Sequence, residues 1–339
     1  MISHKEEIHY QLSSPNIFLP SHYLGDRLIL PLLKSLPHLP LLFMLNLENN
    51  SLTQKSFEKL EKLVSKHPNL FKKLKKLNLA HNSIQKLEFL LKKMNLGNEI
   101  EEINISGNSL QNQMLFQTLS DLENLQILKL KGCGLSHIFF NKKMNHLKEI
   151  DLSRNRLNFW NFSENLKFLP NLEKANFSYN YPELILRQES KFQIFGSQNN
   201  DTFEDEIRSL KTIKLKGIKE ILKERRETRP KYFIFFNHAQ QIDLSFCEQG
   251  FLEFFLESML ENCLQGKIDG NECYKSLSSL KIKNEGVKRI NENLFRLLTR
   301  VLSFIESLKI FDLEGWDLNY DHQQTLKTIL LDKNKFKNY

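Results

Sequence analysis

The chain has 339 residues, 40% of them hydrophobic, with 26 Phe, only 12 Gly and a net charge of +8. The hydrophobic content is ordinary for a soluble protein with a real core, Phe is unusually abundant, and no stretch approaches the ~18 apolar residues needed to span a bilayer. The four cysteines lack CxxC spacing, and a chain this long does not depend on disulfide staples.

The start, Met1-Ile-Ser-His-Lys-Glu-Glu-Ile-His9, has no apolar run and does not read as a secretory signal. Reduced thiols and a cytoplasmic location are the expectation. Sequons at Asn49, Asn104, Asn161, Asn176 and Asn200 then read as products of an Asn-rich composition. Residues 1–100 hold 14 Lys+Arg against 8 Asp+Glu, so most of the positive charge is N-terminal. Solvated Lys-rich helices such as 57–66 account for it more simply than binding of RNA or anionic lipid.

Residues 1–41 read as a degenerate first unit or cap. Tyr10, Leu12, Pro15 and Ile17 fall at strand and turn positions, and Asp26 is placed to cap an amphipathic helix running toward Leu36. From residue 42 an eleven-position template recurs, clearest in Leu147-Lys-Glu-Ile150-Asp-Leu152-Ser-Arg-Asn155-Arg-Leu157. Its apolar residues fall at 1, 4, 6 and 11, with Asn at 9. A lone strand would alternate evenly and a helix would repeat every three or four residues. This spacing predicts a short strand, a tight turn carried by the Asn, and an apolar anchor.

Units begin at Leu42, Leu74, Ile100, Leu125, Leu147 and Leu172, with Cys133 replacing the Asn in the fourth. Looser units follow as Leu210/Ile213/Leu215, Ala239/Ile242/Leu244/Cys247, Leu277/Leu280/Ile282/Val287 and Leu308/Phe311/Leu313/Trp316/Leu318. Longer steps between the later units imply insertions near 188–209, 219–238 and 264–276, with Gln265–Glu272 read as a turn. Residues 319–339 read as a C-terminal cap and basic tail. Phe57, Phe89, Phe140, Phe162 and Phe254 each lie seven residues after the ninth position of their unit, and Phe116 lies eight after. Aromatics recurring at one depth predict a stacked column in the core.

Over residues 42–318 the template resembles that of leucine-rich repeat proteins, with longer units similar to the ribonuclease-inhibitor-like class and shorter ones to the compact intracellular classes. The resemblance implies an α/β solenoid forming a single continuous domain. One strand per unit would build a curved parallel sheet on the concave face, with helices and loops on the convex face.

No phosphate-cradling glycine loop, HExxH or GxSxG is present, and Asp269-x-Asn271 lacks the Gly and Glu of a calcium loop. No enzyme, metal or cofactor is expected. Cys133 and Cys247 read as ladder residues rather than redox or metal sites. Candidate partner contacts lie on the concave face. The central column includes Lys129, Asp151, Lys214, Asp243, Lys281 and Asp312, whose charges alternate and can pair across strands. In particular Lys129 is expected to occupy Asp151. Two positions along, Lys131 and Lys216 have Ser on both sides and are expected to be free donors, with Lys283 nearly so. Arg154, Tyr179 and Phe246 flank them with residue types common at interface hot spots.

The expected function is a non-enzymatic interaction scaffold, a subunit of a larger intracellular hetero-complex, with cytoskeletal and ciliary assemblies suggested by the resemblance. Regulation of a GTPase or phosphatase is an alternative. The acidic tail typical of GTPase-activating relatives is missing from the ending Asp332-Lys-Asn-Lys-Phe-Lys-Asn-Tyr339. RNA or anionic-lipid binding through the basic N-terminal units is the other alternative, supported by charge alone.

Overall fold

The computed structural model describes residues 16–38, 42–94, 96, 99–110, 114–181, 209–218, 236–269 and 273–331, without the side chains of 88, 89 and 266–269. The chain divides into two compact units, Met1–Leu157 with Phe168–Phe177, and Asn158–Lys167 with Ser178–Tyr339.

The first unit is built on seven three-residue strands: β1 (Asn16–Phe18), β2 (Met44–Asn46), β3 (Lys76–Asn78), β4 (Glu102–Asn104), β5 (Ile127–Lys129), β6 (Glu149–Asp151) and β7 (Lys174–Asn176). They pair in chain order, all parallel. The register sets fourth-position residues side by side, Leu45 against Leu77 and Ile150 against Ala175. Template positions 1, 4 and 6 point inward and are buried from Leu42 through Phe177.

Between strands the chain returns through helices or irregular segments. Thr53 caps the Gln54–Lys66 helix by accepting the Lys55 N–H at 3.3 Å, and Phe57, Leu60 and Val64 form its buried stripe. Phe116 and Phe140 meet edge to face with centroids 5.3 Å apart, one step of the expected aromatic column; Phe57 is buried, and the Phe89 side chain lies outside the described residues.

The ninth-position amides Asn50, Asn82, Asn108 and Asn155 close the turn of the unit before them. Asn155 donates to the Leu130 carbonyl at 2.8 Å and accepts the N–H groups of Cys133 and Leu135 at 2.9 and 3.1 Å. Asn50, Asn82 and Asn108 repeat the donation to Leu19, Leu47 and Leu79. The Cys133 thiol makes the same bond to the Ile105 carbonyl at 3.3 Å. These turns are buried, so their backbone groups need such partners.

One expectation for the N-terminal cap is corrected, that of Asp26. Ile17 is the centre of a strand, opposite Leu45. The Asn50 side chain decides this register, because it accepts the N–H groups of His22 and Leu24 and thereby fixes where the first turn falls. Tyr10, Leu12 and Pro15 lie outside the described residues. The Gly25–Ser35 helix forms as expected but without a side-chain cap. Asp26 instead accepts the Thr53 N–H at 2.9 Å and the Thr53 and Ser56 hydroxyls, holding the start of the next helix.

In the second unit β8 (Thr212–Lys214), β9 (Gln241–Asp243), β10 (Ser279–Lys281) and β12 (Ile310–Asp312) form a parallel sheet. A separate parallel pair joins β11 (Lys288–Arg289) to β13 (Trp316–Asp317). The core is rich in Phe: Phe159 lies edge-on to Phe251 at 5.4 Å, and Phe236 packs on Phe255 at 5.7 Å. Phe162 and Phe254 are buried as the column predicts. The ladder continues through the Cys247 thiol, which donates to the Leu215 carbonyl at 2.9 Å. Trp316 makes the equivalent bond, its indole Nε1–H donating to the Ile282 carbonyl at 2.6 Å.

Val287 is not the anchor of its unit. It is 86% exposed, and Ile290 is buried in its place. Gly286, at φ +71°, and β11 carry the chain outward by three residues before it turns in. Nor is Gln265–Glu272 a turn throughout, since the Gln249–Asp269 helix runs through its first five residues. A single Gly266 costs a helix only ~1 kcal/mol, too little to end one held by the buried stripe from Phe251 to Cys263. Residues 188–208 and 219–235 of the expected insertions lie outside the described residues, as does the tail from 332. The Tyr320–Leu331 helix follows the last strands, started by Asn319 accepting the His322 N–H at 2.7 Å.

Candidate functional site

Strand ends carry the candidate residues, and most fifth-position side chains there already have a structural task. The amides of Asn46, Asn78 and Asn104 accept the backbone N–H two residues on, at 3.0, 3.1 and 3.2 Å. Asp151, Asp243 and Asp312 do the same for Ser153, Ser245 and Glu314 at 2.9, 3.1 and 3.2 Å. Such Asx turns bend the chain out of the strand. The three aspartates proposed as partner contacts are therefore turn residues first.

Lys129, Lys214 and Lys281 occupy the fifth position with no acceptor to offer. Where they stand, the N–H two residues on finds a serine hydroxyl on the preceding strand. Lys131 N–H donates to Ser106 at 3.2 Å, Lys216 N–H to Ser178 at 3.2 Å, and Lys283 N–H to Ser245 at 3.3 Å. Each of these lysines is preceded, one unit earlier, by a seventh-position serine. That pairing is visible in the sequence and was the missed signal.

Ion pairs run diagonally rather than along a column. Lys216 meets Asp243 at 3.1 Å, and Lys283 meets Asp312 at 2.9 Å and Glu314 at 2.5 Å, so neither lysine is a free donor. Their seventh position lies next to the fifth position of the following strand, and the acid there reaches them. The Glu314 and Asp312 carboxylates raise the Lys283 pKa. Burial pushes Asp312 upward, but its bonds from Lys283 and the Glu314 N–H outweigh this and leave its pKa lowered. Lys129 pairs with Glu102 at 3.0 Å and not with Asp151, whose Oδ1 also takes the Ser153 hydroxyl at 2.6 Å. Lys131, Lys214 and Lys281 form no ion pair with any described residue.

The eighth position has left-handed backbone in every described unit but that of Leu277, where Asn284 stands there and Gly286, two residues on, takes the positive φ. Asn49, His81, Arg154, Tyr179 and Phe246 have φ of 51, 54, 57, 58 and 64°, while Gly107, Gly132, Gly217 and Gly315 fill the same place elsewhere. A bulky L-residue there costs about 1–2 kcal/mol that glycine avoids. In the second unit the Tyr179 ring lies across Gly217, so close that a Cβ at Gly217 would come within 2.6 Å of it. Tyr179, Gly217 and Phe246 belong to successive units, which sets the two aromatic positions about 10 Å apart. Both aromatics are half-buried, with exposed Lys214 on the strand between them. In the first unit Arg154 and Lys131 are exposed at the strand ends.

Among the described residues no group of three or more His, Cys, Asp or Glu is placed to hold a metal ion. None of their helices is long and apolar enough to cross a membrane. Burial pushes the Cys133 and Cys247 thiols up to about 12, which suits ladder residues and not nucleophiles.

No protein-family model matches the sequence, and no curated protein sequence matches it. Among solved structures the chain is similar to an internalin, InlF, from Listeria monocytogenes, with 14% identity and a TM-score of 0.53 over 95% of this chain and 79% of that one. Internalin C2 of the same organism matches at 14% identity and a TM-score of 0.40 over 83% of each chain. The APL1 leucine-rich repeat domain matches at 14% identity and a TM-score of 0.42, over 86% of this chain and 66% of that one. With the strand register above, the first likeness establishes the fold as an α/β leucine-rich repeat solenoid.

Proposed function

We propose that this leucine-rich repeat chain is a non-enzymatic scaffold that binds a protein partner through its strand ends, as one subunit of a larger hetero-complex. Phe246 carries the reading. Its ring stands half-exposed on left-handed backbone at a position where Gly217 and Gly315 show that the fold needs no side chain. A residue that costs the fold ~1–2 kcal/mol where glycine serves in other units is well explained by a contact made outside the chain. Tyr179 and the cations Lys214 and Lys281 supply the neighbouring aromatic and charge that such contacts use. Lys216 with Asp243, and Lys283 with Asp312, form a rim of half-buried pairs that can re-pair with a partner. Lys129, Lys131, Asp151 and Arg154 are a lesser patch on the first unit.

An intracellular assembly, cytoskeletal or ciliary, is inferred from the family resemblance alone. Nucleic-acid binding through Lys72–Lys76 is disfavoured, since Lys73, Lys75 and Lys76 already pair with Glu99, Glu101 and Glu102 at 2.8, 3.0 and 3.5 Å.

The test is affinity purification of the wild-type chain beside a Tyr179→Gly/Phe246→Gly variant, at moderate salt and after nuclease. Wild type is expected to return a stoichiometric protein complex and the variant to lose it while unfolding at the same or higher denaturant concentration. Recovery of the wild-type chain alone, or an undiminished complex with the variant, refutes the proposal.

A further inference from the structure

A second surface, on the helices of the first unit, has a different chemistry. Between the Gly25–Ser35 and Gln54–Lys66 helices lies an open groove of about 250 Å³ with Leu30, Leu33 and Leu63 as its floor and Lys34, Lys59, Lys62 and Lys66 around it. The four lysines are exposed, whereas Leu33 is buried and Leu30 and Leu63 are half-buried, so the apolar floor is recessed beneath a cationic rim. None of the four forms an ion pair with a described residue. The acids on the same helix do not neutralise them. Glu61 is held by Lys93 at 2.8 Å, and Glu58 is exposed without a pair among the described residues.

We infer that this groove docks an acidic amphipathic helix of a partner protein. Lys59, Lys62 and Lys66 follow an i, i+3, i+7 spacing and so line one edge of their helix over about 10 Å. A facing helix with carboxylates at the same period can meet all three while its apolar side chains enter between the lysine stems, which are themselves apolar. The volume decides against a small-molecule site, since those begin at roughly 300 Å³ of enclosed space. It admits one or two side chains. Recession of the leucines decides against a bilayer, because a flat anionic surface meets the ammonium groups without reaching the floor. Lys62 and Lys66, one turn apart, repel each other along the helix, and an acidic partner relieves that repulsion. This surface is separate from the strand ends and stands or falls without them.

The experiment is a fluorescence-anisotropy titration of the full chain with a synthetic helix of about four turns, glutamates along one face and leucines along the adjacent one. A shuffled peptide of the same composition and vesicles of phosphatidylcholine with phosphatidylserine are run beside it. The amphipathic peptide is expected to bind about tenfold or more tightly than the shuffled one. K59E/K62E/K66E should abolish that binding and Leu63→Ser should weaken it, while Lys148→Glu, at an exposed lysine elsewhere on the same unit, should leave it unchanged. Equal binding of the shuffled peptide, indifference to the triple reversal, or binding of vesicles in preference to the peptide each overturns the proposal. The vesicle result would assign the lysines to a membrane surface instead.

Discussion

The Ser245 hydroxyl accepts the Lys283 backbone N–H at 3.3 Å, across the gap between two strands. It does so because Lys281, at the strand end, has no oxygen to offer, whereas Asp312 in the next unit serves the Glu314 N–H from within its own strand. A lysine is admitted at this position only where the preceding unit supplies the acceptor. Removing the hydroxyl in Ser245→Ala should therefore cost about 1–2 kcal/mol, the usual consequence of stranding a partly buried donor. Adding Lys281→Asn should recover most of it, since Asn46, Asn78 and Asn104 show the alternative bond. Urea denaturation of the two single variants and the double measures this coupling. Strict additivity would refute the exchange.

Gly315 and Gly286 both have positive φ, at +84° and +71°, but differ in surroundings. A Cβ at Gly286 meets nothing within 4 Å, while one at Gly315 collides with the backbone carbonyl of Asn284. Gly286→Ala should cost only the left-handed penalty of about 1–2 kcal/mol. Gly315→Ala should cost distinctly more, since backbone must move, and should loosen the β11–β13 pair. Denaturant midpoints and hydrogen exchange at Lys288 and Ile290 check both.

Asp26 links stability to pH. Burial raises its pKa, but the hydroxyl bonds from Ser56 and Thr53, the Thr53 N–H and the Lys55 charge outweigh this and hold it below 3.8. A carboxylate whose folded pKa is lowered contributes its full stability above the unfolded value and loses it as pH falls through the folded value. Asp26→Ala should cost about 2 kcal/mol near neutrality, the scale of charge-assisted bonds. The gap between variant and wild type should close below about pH 4. A gap that persists undiminished to pH 2 would contradict the role of the charge.

Thiol chemistry separates the four cysteines, of which three are buried and Cys273 is half-exposed. With Cys133 and Cys247 pushed up to about 12 by burial, neither presents a thiolate near pH 8. One thiol is expected to react quickly with an aromatic disulfide reagent in the native protein, and all four after unfolding. Prompt modification of Cys133 or Cys247 in the folded chain would refute their ladder placement.

The template was legible because inward positions accept only apolar residues and a buried turn needs a ninth-position partner. Leu147, Ile150, Leu152, Asn155 and Leu157 are placed as their spacing implies, and so are Cys133 and Cys247. What escaped was whatever crosses from one unit to another at an angle. Lys216 reaches Asp243 diagonally, and Asp26 acts on a helix that begins nearly thirty residues later. Val287 misled because Gly286 and β11 shift the inward turn by three residues. Phe246 and Tyr179 stood out by residue type. Their strain was implied only by the glycines recurring at the same position in other units.

The ladder side chains of Asn50, Asn82, Asn108, Cys133, Asn155, Cys247 and Trp316 each bond the unit before their own. Asn155 serves the turn ending at Leu135, and Trp316 serves the carbonyl of Ile282. A unit is therefore finished by its successor. On the ribosome the newest repeat to emerge always waits with open carbonyls and amides for the next one. Loss of repeats from the C-terminal side uncovers a turn's backbone to water and protease. Loss from the N-terminal side instead bares acceptors, since the Asn46, Glu48 and Asn50 carbonyls take the N–H groups of Leu19, Ser21 and Gly25.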